Sequence, residues 1–95
     1  MFIVLLHYVQ PLAAIEAHIE EHRSFLDRHY AAGRFLASGP QMPRTGGVIL
    51  VKGLSREELD GVLAEDPFHR EQIATYQVIQ FNPNKFGVGV QAILG

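Results

Sequence analysis

Among the residues able to move a proton or hold a ligand, His22 is the most informative. An imidazole titrates near neutral pH, which suits general acid or base work. Ile15, Ile19, His22, Leu26 and His29 recur at steps of four and three, the spacing of one helix face. His22 therefore stands mid-helix on an apolar stripe, where an imidazole is costly to bury unless it is hydrogen-bonded. It reads either as a core histidine tied to a backbone carbonyl or as a catalytic group. Asp66 is the second candidate. It precedes Pro67, which holds it near an extended conformation. Its local structural role is the N-cap of a short turn with proline at the first position. A chemical role is compatible with that one, because a carboxylate has two oxygens.

Other combinations carry less. His18 and His22 have the i, i+4 spacing of zinc ligands. No third ligand has an obvious position, so neither a metal nor a cofactor is expected. His29 and His69 read as surface or boundary residues. Ser38-Gly39-Pro40 lacks the flanking pattern of a nucleophile elbow and reads as a strand-end turn where backbone approaches a cleft. Gly46-Gly47 does not join a strand to a helix, so it makes no phosphate loop. The absence of cysteine excludes disulfides, thiol catalysis and thiolate metal sites.

The elements that must position these groups follow from the pattern. Phe2 to Val9 is a strand rich in apolar and β-branched residues, and because alternate residues face opposite ways, both of its faces demand burial. Pro11 suits the start of a helix over residues 12–32, and Gly33 its C′ end. Arg34 to Met42 and Val48 to Lys52 are two further strands joined by turn residues 43–47. Ser55 and Glu58 form a capping box, with Leu54 and Leu59 at the staple positions, for a helix that ends near Glu65 ahead of Pro67. A short helical turn starts at Pro67, and Thr75 to Phe81 is the fourth strand. The order β-α-β-β-α-β predicts a ferredoxin-like α+β domain over residues 1–82, followed by a C-terminal tail at 83–95. Within that tail, Phe86 to Val90 alternates as an added edge strand or a frayed end would.

Two helices on one face leave the other sheet face bare, and the first strand makes that face apolar. So large a patch is rarely left exposed on a small monomer. A second copy packed by two-fold symmetry is the expected cover, with the tail folded back over the sheet as the alternative. The chain has 95 residues, 47% of them apolar, and a net charge of −2, which fits one globular domain with no basic stripe for nucleic acid. No segment is long enough to cross a bilayer, and Phe2 to Leu6 lacks the flanks of a signal peptide, so a cytoplasmic location is expected.

Taken in order, the motifs resemble the YciI-like (YCII-related) family. His22 is followed eleven residues later by Gly33 and then by Ser38-Gly39-Pro40; Gly46-Gly47 precedes a hydrophobic strand, and Asp66-Pro67-Phe68 matches an Asp-Pro-aromatic element. The likeness runs from Phe2 to Phe81. It implies a dimeric α+β barrel in which His22 and Asp66 meet in a cleft between helices and sheet as the active site. Most members have no assigned reaction; a few similar proteins are dehydrochlorinases of chlorinated or hydroxylated aromatics, and others of the fold are isomerases or monooxygenases. The expectation is a cofactor-independent acid–base enzyme on a small, cyclic molecule, eliminating or isomerising it. His22 would be the base or acid and Asp66 its partner, while Ser38, Gly39, Pro40 and Phe68 shape the pocket. The alternatives are a non-catalytic dimeric module that binds a small ligand, and a purely structural dimer.

Overall fold

Strand β1 (Phe2–Tyr8) sets the layering. In the computed structural model, which describes residues 1–94, its alternate residues Phe2, Val4 and Leu6 are buried. Ile3 and Leu5 on the opposite face are only half-buried. β1 lies between β3 (Gly46–Val51) and β4 (Ala74–Gln80), and β2 (Phe35–Pro40) borders β3, so the sheet order is β2-β3-β1-β4 with every neighbour antiparallel. With the helices this is the ferredoxin-like α+β arrangement.

The expected helix over 12–32 is two helices, α1 (Leu12–Ala17) and α2 (Ile19–Ala31), separated at His18, whose φ of −116° and ψ of 9° leave the helical region. On one continuous helix Ile15 and Phe25 would lie about 80° apart around the axis. With the break, both side chains are fully buried against the sheet. His29, expected at the surface or boundary, is instead buried between Phe25 and Phe35, each ring 5.1 Å away. It is satisfied there by Glu65, with Nε2 3.1 Å from Oε1. Gly33 ends α2 at φ +75°, a conformation that favours glycine.

The second half follows its local signals closely. In α3 (Arg56–Leu63) both bonds of the capping box form: Glu58 N–H donates to Ser55 Oγ at 3.1 Å, and Ser55 N–H donates to Glu58 Oε1 at 2.9 Å. Asp66 caps α4 (Pro67–Arg70). Beyond β4 the tail forms no strand among the described residues; it contains a short helix, α5 (Gln91–Leu94), and Lys52 Nζ donates to the Ile93 carbonyl at 2.8 Å. Ile3, Leu5, Val48, Leu50 and Ile79 share the sheet face away from α1–α4 by their register, and Ile79 is 41% exposed. No helix among the described residues is long and apolar enough to cross a membrane.

Candidate active site

A cleft of about 500 Å³ opens between α1, α2 and α4 on one side and β1, β2 and β3 on the other. His22, Ser38, Gly39, Pro40 and Phe68 all line it, so five of the six residues singled out from sequence share one wall system. The sixth, Asp66, lies directly behind His22. Its side chain is fully buried, whereas that of His22 keeps 12% exposure.

Asp66 is held by its own turn. Pro67 keeps it extended, at φ −68° and ψ 126°, and its Oδ1 accepts from the Phe68 N–H at 3.0 Å, the N-cap bond of α4. The same Oδ1 lies 2.8 Å from His22 Nδ1, and Oδ2 accepts from the Tyr76 hydroxyl at 2.6 Å. Three donors thus converge on a carboxylate with no solvent exposure, which is what makes a buried charge tolerable. Tyr76 can only be a donor here. Burial first, and the neighbouring Asp66 carboxylate second, push its phenol far above the usual range. With Asp66 fixed as the acceptor, His22 carries its proton on Nδ1. Nε2 then has a free lone pair, and it has no hydrogen-bond partner among the described residues.

Phe68 fixes the plane of the imidazole. The two rings stack with centroids 4.0 Å apart and 7° between planes, and Tyr8 meets Phe68 edge-on at 6.2 Å. On the surface, Arg70 of α4 donates to Glu21 of α2 at 2.5 Å, joining the helix that carries Phe68 to the one that carries His22.

Ser38 faces the cleft with its hydroxyl 2.6 Å from that of Tyr30, so it is engaged with a phenol rather than with His22. His18 and His22 gather no further ligands: among the described residues no group of three or more His, Cys, Asp or Glu could hold a metal ion. Tyr76 had no role assigned from sequence. Its signal was there in the strand alternation Ala74, Tyr76, Val78, the helix-facing side of β4, where a phenol needs a buried partner. Glu16, Arg23 and Arg44 also line the cleft and were not singled out.

A ferredoxin-like sheet under α1–α4, with an Asp-Pro-Phe turn set against a helix-borne histidine, defines the kind of protein this is. The chain belongs to the YCII-related domain family, which matches residues 1–82. A similar solved structure is the 5-chloro-2-hydroxyhydroquinone dehydrochlorinase of Burkholderia phenoliruptrix AC1100 in complex with 2,5-dihydroxybenzoquinone. It has 17% sequence identity and a TM-score of 0.73, covering 88% of this chain and 96% of that one. No curated protein matches the sequence.

Proposed function

We propose that the protein is a cofactor-independent acid–base enzyme acting on a small cyclic molecule, with His22 as the proton-transfer group and Asp66 as its orienting partner. The observation that carries this reading is the fully buried Asp66 carboxylate 2.8 Å from Nδ1 of an imidazole at a cleft whose other nitrogen has no partner among the described residues. For elimination the reacting form is the keto tautomer of the ring, in which the carbon bearing the leaving group is saturated. Nε2 takes the proton of a ring hydroxyl, the O–H electron pair forms a C=O bond, the ring double bonds shift, and the leaving group departs with its own pair to leave the quinone. For isomerisation Nε2 takes a proton from a saturated ring carbon and returns it to a different one. The imidazolium formed in between is stabilised by Asp66 and by the face of Phe68. Elimination from a hydroxylated aromatic ring is the favoured reaction, supported by the shared fold of a dehydrochlorinase and by a cleft walled with apolar side chains. Residues 1–82 would form the catalytic domain, with 83–95 an appended tail. The working form is a homodimer whose subunits meet through the apolar sheet face that carries Ile3, Leu5 and Ile79.

The test is a panel of halogenated and unhalogenated hydroxyhydroquinones and hydroxyquinones, read by halide release and by the ultraviolet absorbance of the quinone. Turnover by the native protein should fall by about 10²–10⁴-fold in His22→Asn. Tight binding at His22 with no turnover of any member would make the protein a ligand-binding module and overturn the enzymatic reading.

A further inference from the structure

Three side chains of fixed charge line the cleft: Glu16, Arg23 and Arg44. The two arginines are held differently. Arg23 lies on α2, 64% exposed, and pairs at 2.9 Å with Glu20 of the same helix. Arg44 comes from the β2–β3 turn and reaches across to Glu16 of α1 at 2.6 Å, with 40% of its side chain exposed. The turn that carries it is anchored to β1. Gln41 Nε2 donates to the Leu6 carbonyl at 3.3 Å and to that of Gly47 at 3.2 Å, and Tyr8 N–H donates to the Thr45 carbonyl at 2.9 Å. Gly46 packs so closely on Leu6 that a Cβ there would lie 1.7 Å from the Leu6 oxygen. The Arg44 guanidinium is thus presented to the cleft from a fixed base. Glu16 occupies only part of its five-donor fork, and that bond is with a half-exposed carboxylate on a short helix.

We propose that Arg44 is the anion anchor of this cleft, selecting ring compounds that carry a carboxylate or an ionised hydroxyl over neutral ones, with Glu16 as the internal anion that such a ligand displaces. This rests on the cleft being the substrate site of the acid–base reaction above. The two fit chemically. Removing a proton from the substrate leaves negative charge on it, and a guanidinium held in advance at the cleft stabilises that charge without reorganising. The remaining wall, made by side chains such as Leu6, Ile19, Leu26 and Ile49, accepts the apolar ring. Glu16 sets the affinity from inside, because an incoming anion must replace it at Arg44.

The experiment compares salicylate with salicylamide, which differ in charge and little in shape, by NMR titration of the full chain observed at the His22 and Phe68 ring signals. Salicylate should bind tighter by roughly tenfold, the worth of one charge-assisted contact at a partly exposed site. Arg44→Gln should erase the preference, and Arg23→Gln should leave it within about twofold of native. Glu16→Gln should act in the opposite sense to Arg44→Gln and raise salicylate affinity several-fold by freeing the guanidinium. Thermal melts of the variants should stay close to native, since the ion pair is exposed. Equal affinities for the two probes at His22 would overturn the anchor and leave the cleft as a ligand site. Loss of salicylate affinity in both Arg44→Gln and Glu16→Gln would make the pair a structural clasp and also overturn it. If neither probe moves the His22 signals, the anchor falls together with the proposed reading of the cleft.

Discussion

Replacing Asp66 by Asn separates its two jobs, and the structure says what each would cost. Asp66→Ala would be the blunter choice. It leaves the Phe68 N–H, the His22 Nδ1–H and the Tyr76 hydroxyl without an acceptor in a fully buried site. At about 1–3 kcal/mol for each orphaned donor, that loss is comparable with the whole stability of a small domain, about 5–15 kcal/mol. Asn keeps the shape and one acceptor oxygen. Placed at the Oδ1 position, that oxygen still serves Phe68 and His22, and Asn caps helices about as well as Asp. The amide nitrogen then faces the Tyr76 hydroxyl, which must turn from donor to acceptor. One charge-assisted bond becomes a neutral one, at a cost of about 1–2 kcal/mol. The chemical effect should be far larger. The imidazolium formed in the reaction then lacks its charged partner, and a neutral amide oxygen holds the Nδ1 proton less firmly than a carboxylate does, so the tautomer with the proton on Nε2, which cannot act as a base, becomes accessible. The corresponding change in a serine-protease triad costs about 10⁴-fold. Long-range ¹⁵N–¹H correlation spectra of the His22 ring read the tautomer without needing a substrate. Native protein should show the proton on Nδ1, and Asp66→Asn should show a mixture or a switch to Nε2. Superimposable ring spectra in a folded variant would reduce Asp66 to a cap and refute the reasoning.

Two further outcomes are expected. Ile79→Glu places a charge on the half-exposed apolar sheet face and should convert the proposed dimer to monomers with the fold intact; static light scattering that reports the same mass for native and variant chains would remove the barrel arrangement. Tyr76 concerns alkaline stability. Its phenol is raised above the ordinary 10.0, chiefly by burial, so from that pH upward the unfolded chain ionises while the folded one does not. The contribution is full below the unfolded value and is lost as pH rises, by up to about 1.4 kcal/mol per pH unit. Tyr76→Phe should flatten that alkaline decline while costing about 1–2 kcal/mol at neutral pH for the lost bond to Asp66. Parallel denaturant stability profiles from roughly pH 7 to 11 would contradict the burial argument.

What the sequence made legible was local. The capping box at Ser55, the Asp66-Pro67 turn and the two-sided apolarity of Phe2 to Val9 each follow from a few adjacent residues, and each has its counterpart in the structure. His22, Phe68 and the Ser38-Gly39-Pro40 strand end could be placed on one cleft through their resemblance to a family pattern. The break at His18 was not legible, because the stripe from Ile15 to His29 has helical spacing throughout. The burial of His29 departs from the sequence pattern for a related reason. Its polarity suggested the boundary, but Glu65, thirty-six residues further on, satisfies its ring within the core. Tyr76 was missed because its partner lies on a different element. A phenol in a strand reads as packing until the carboxylate beneath it is known.

One oxygen of Asp66 serves both the first amide of a helical turn and the imidazole. A copy of this gene released from any chemical duty would still be selected to keep an Asp or Asn before Pro67, because losing it unravels the turn that seats Phe68 in the core. The tripeptide therefore testifies to folding whether or not the chain still turns anything over. His22 is held by Asp66 and Phe68 through Nδ1 and one ring face, but its Nε2 reaches no partner among the described residues, so that nitrogen answers only to chemistry. When relatives are sorted into working and retired copies, the residue at the position of His22 is the one to read, and the Asp-Pro-Phe turn only says that the scaffold survives.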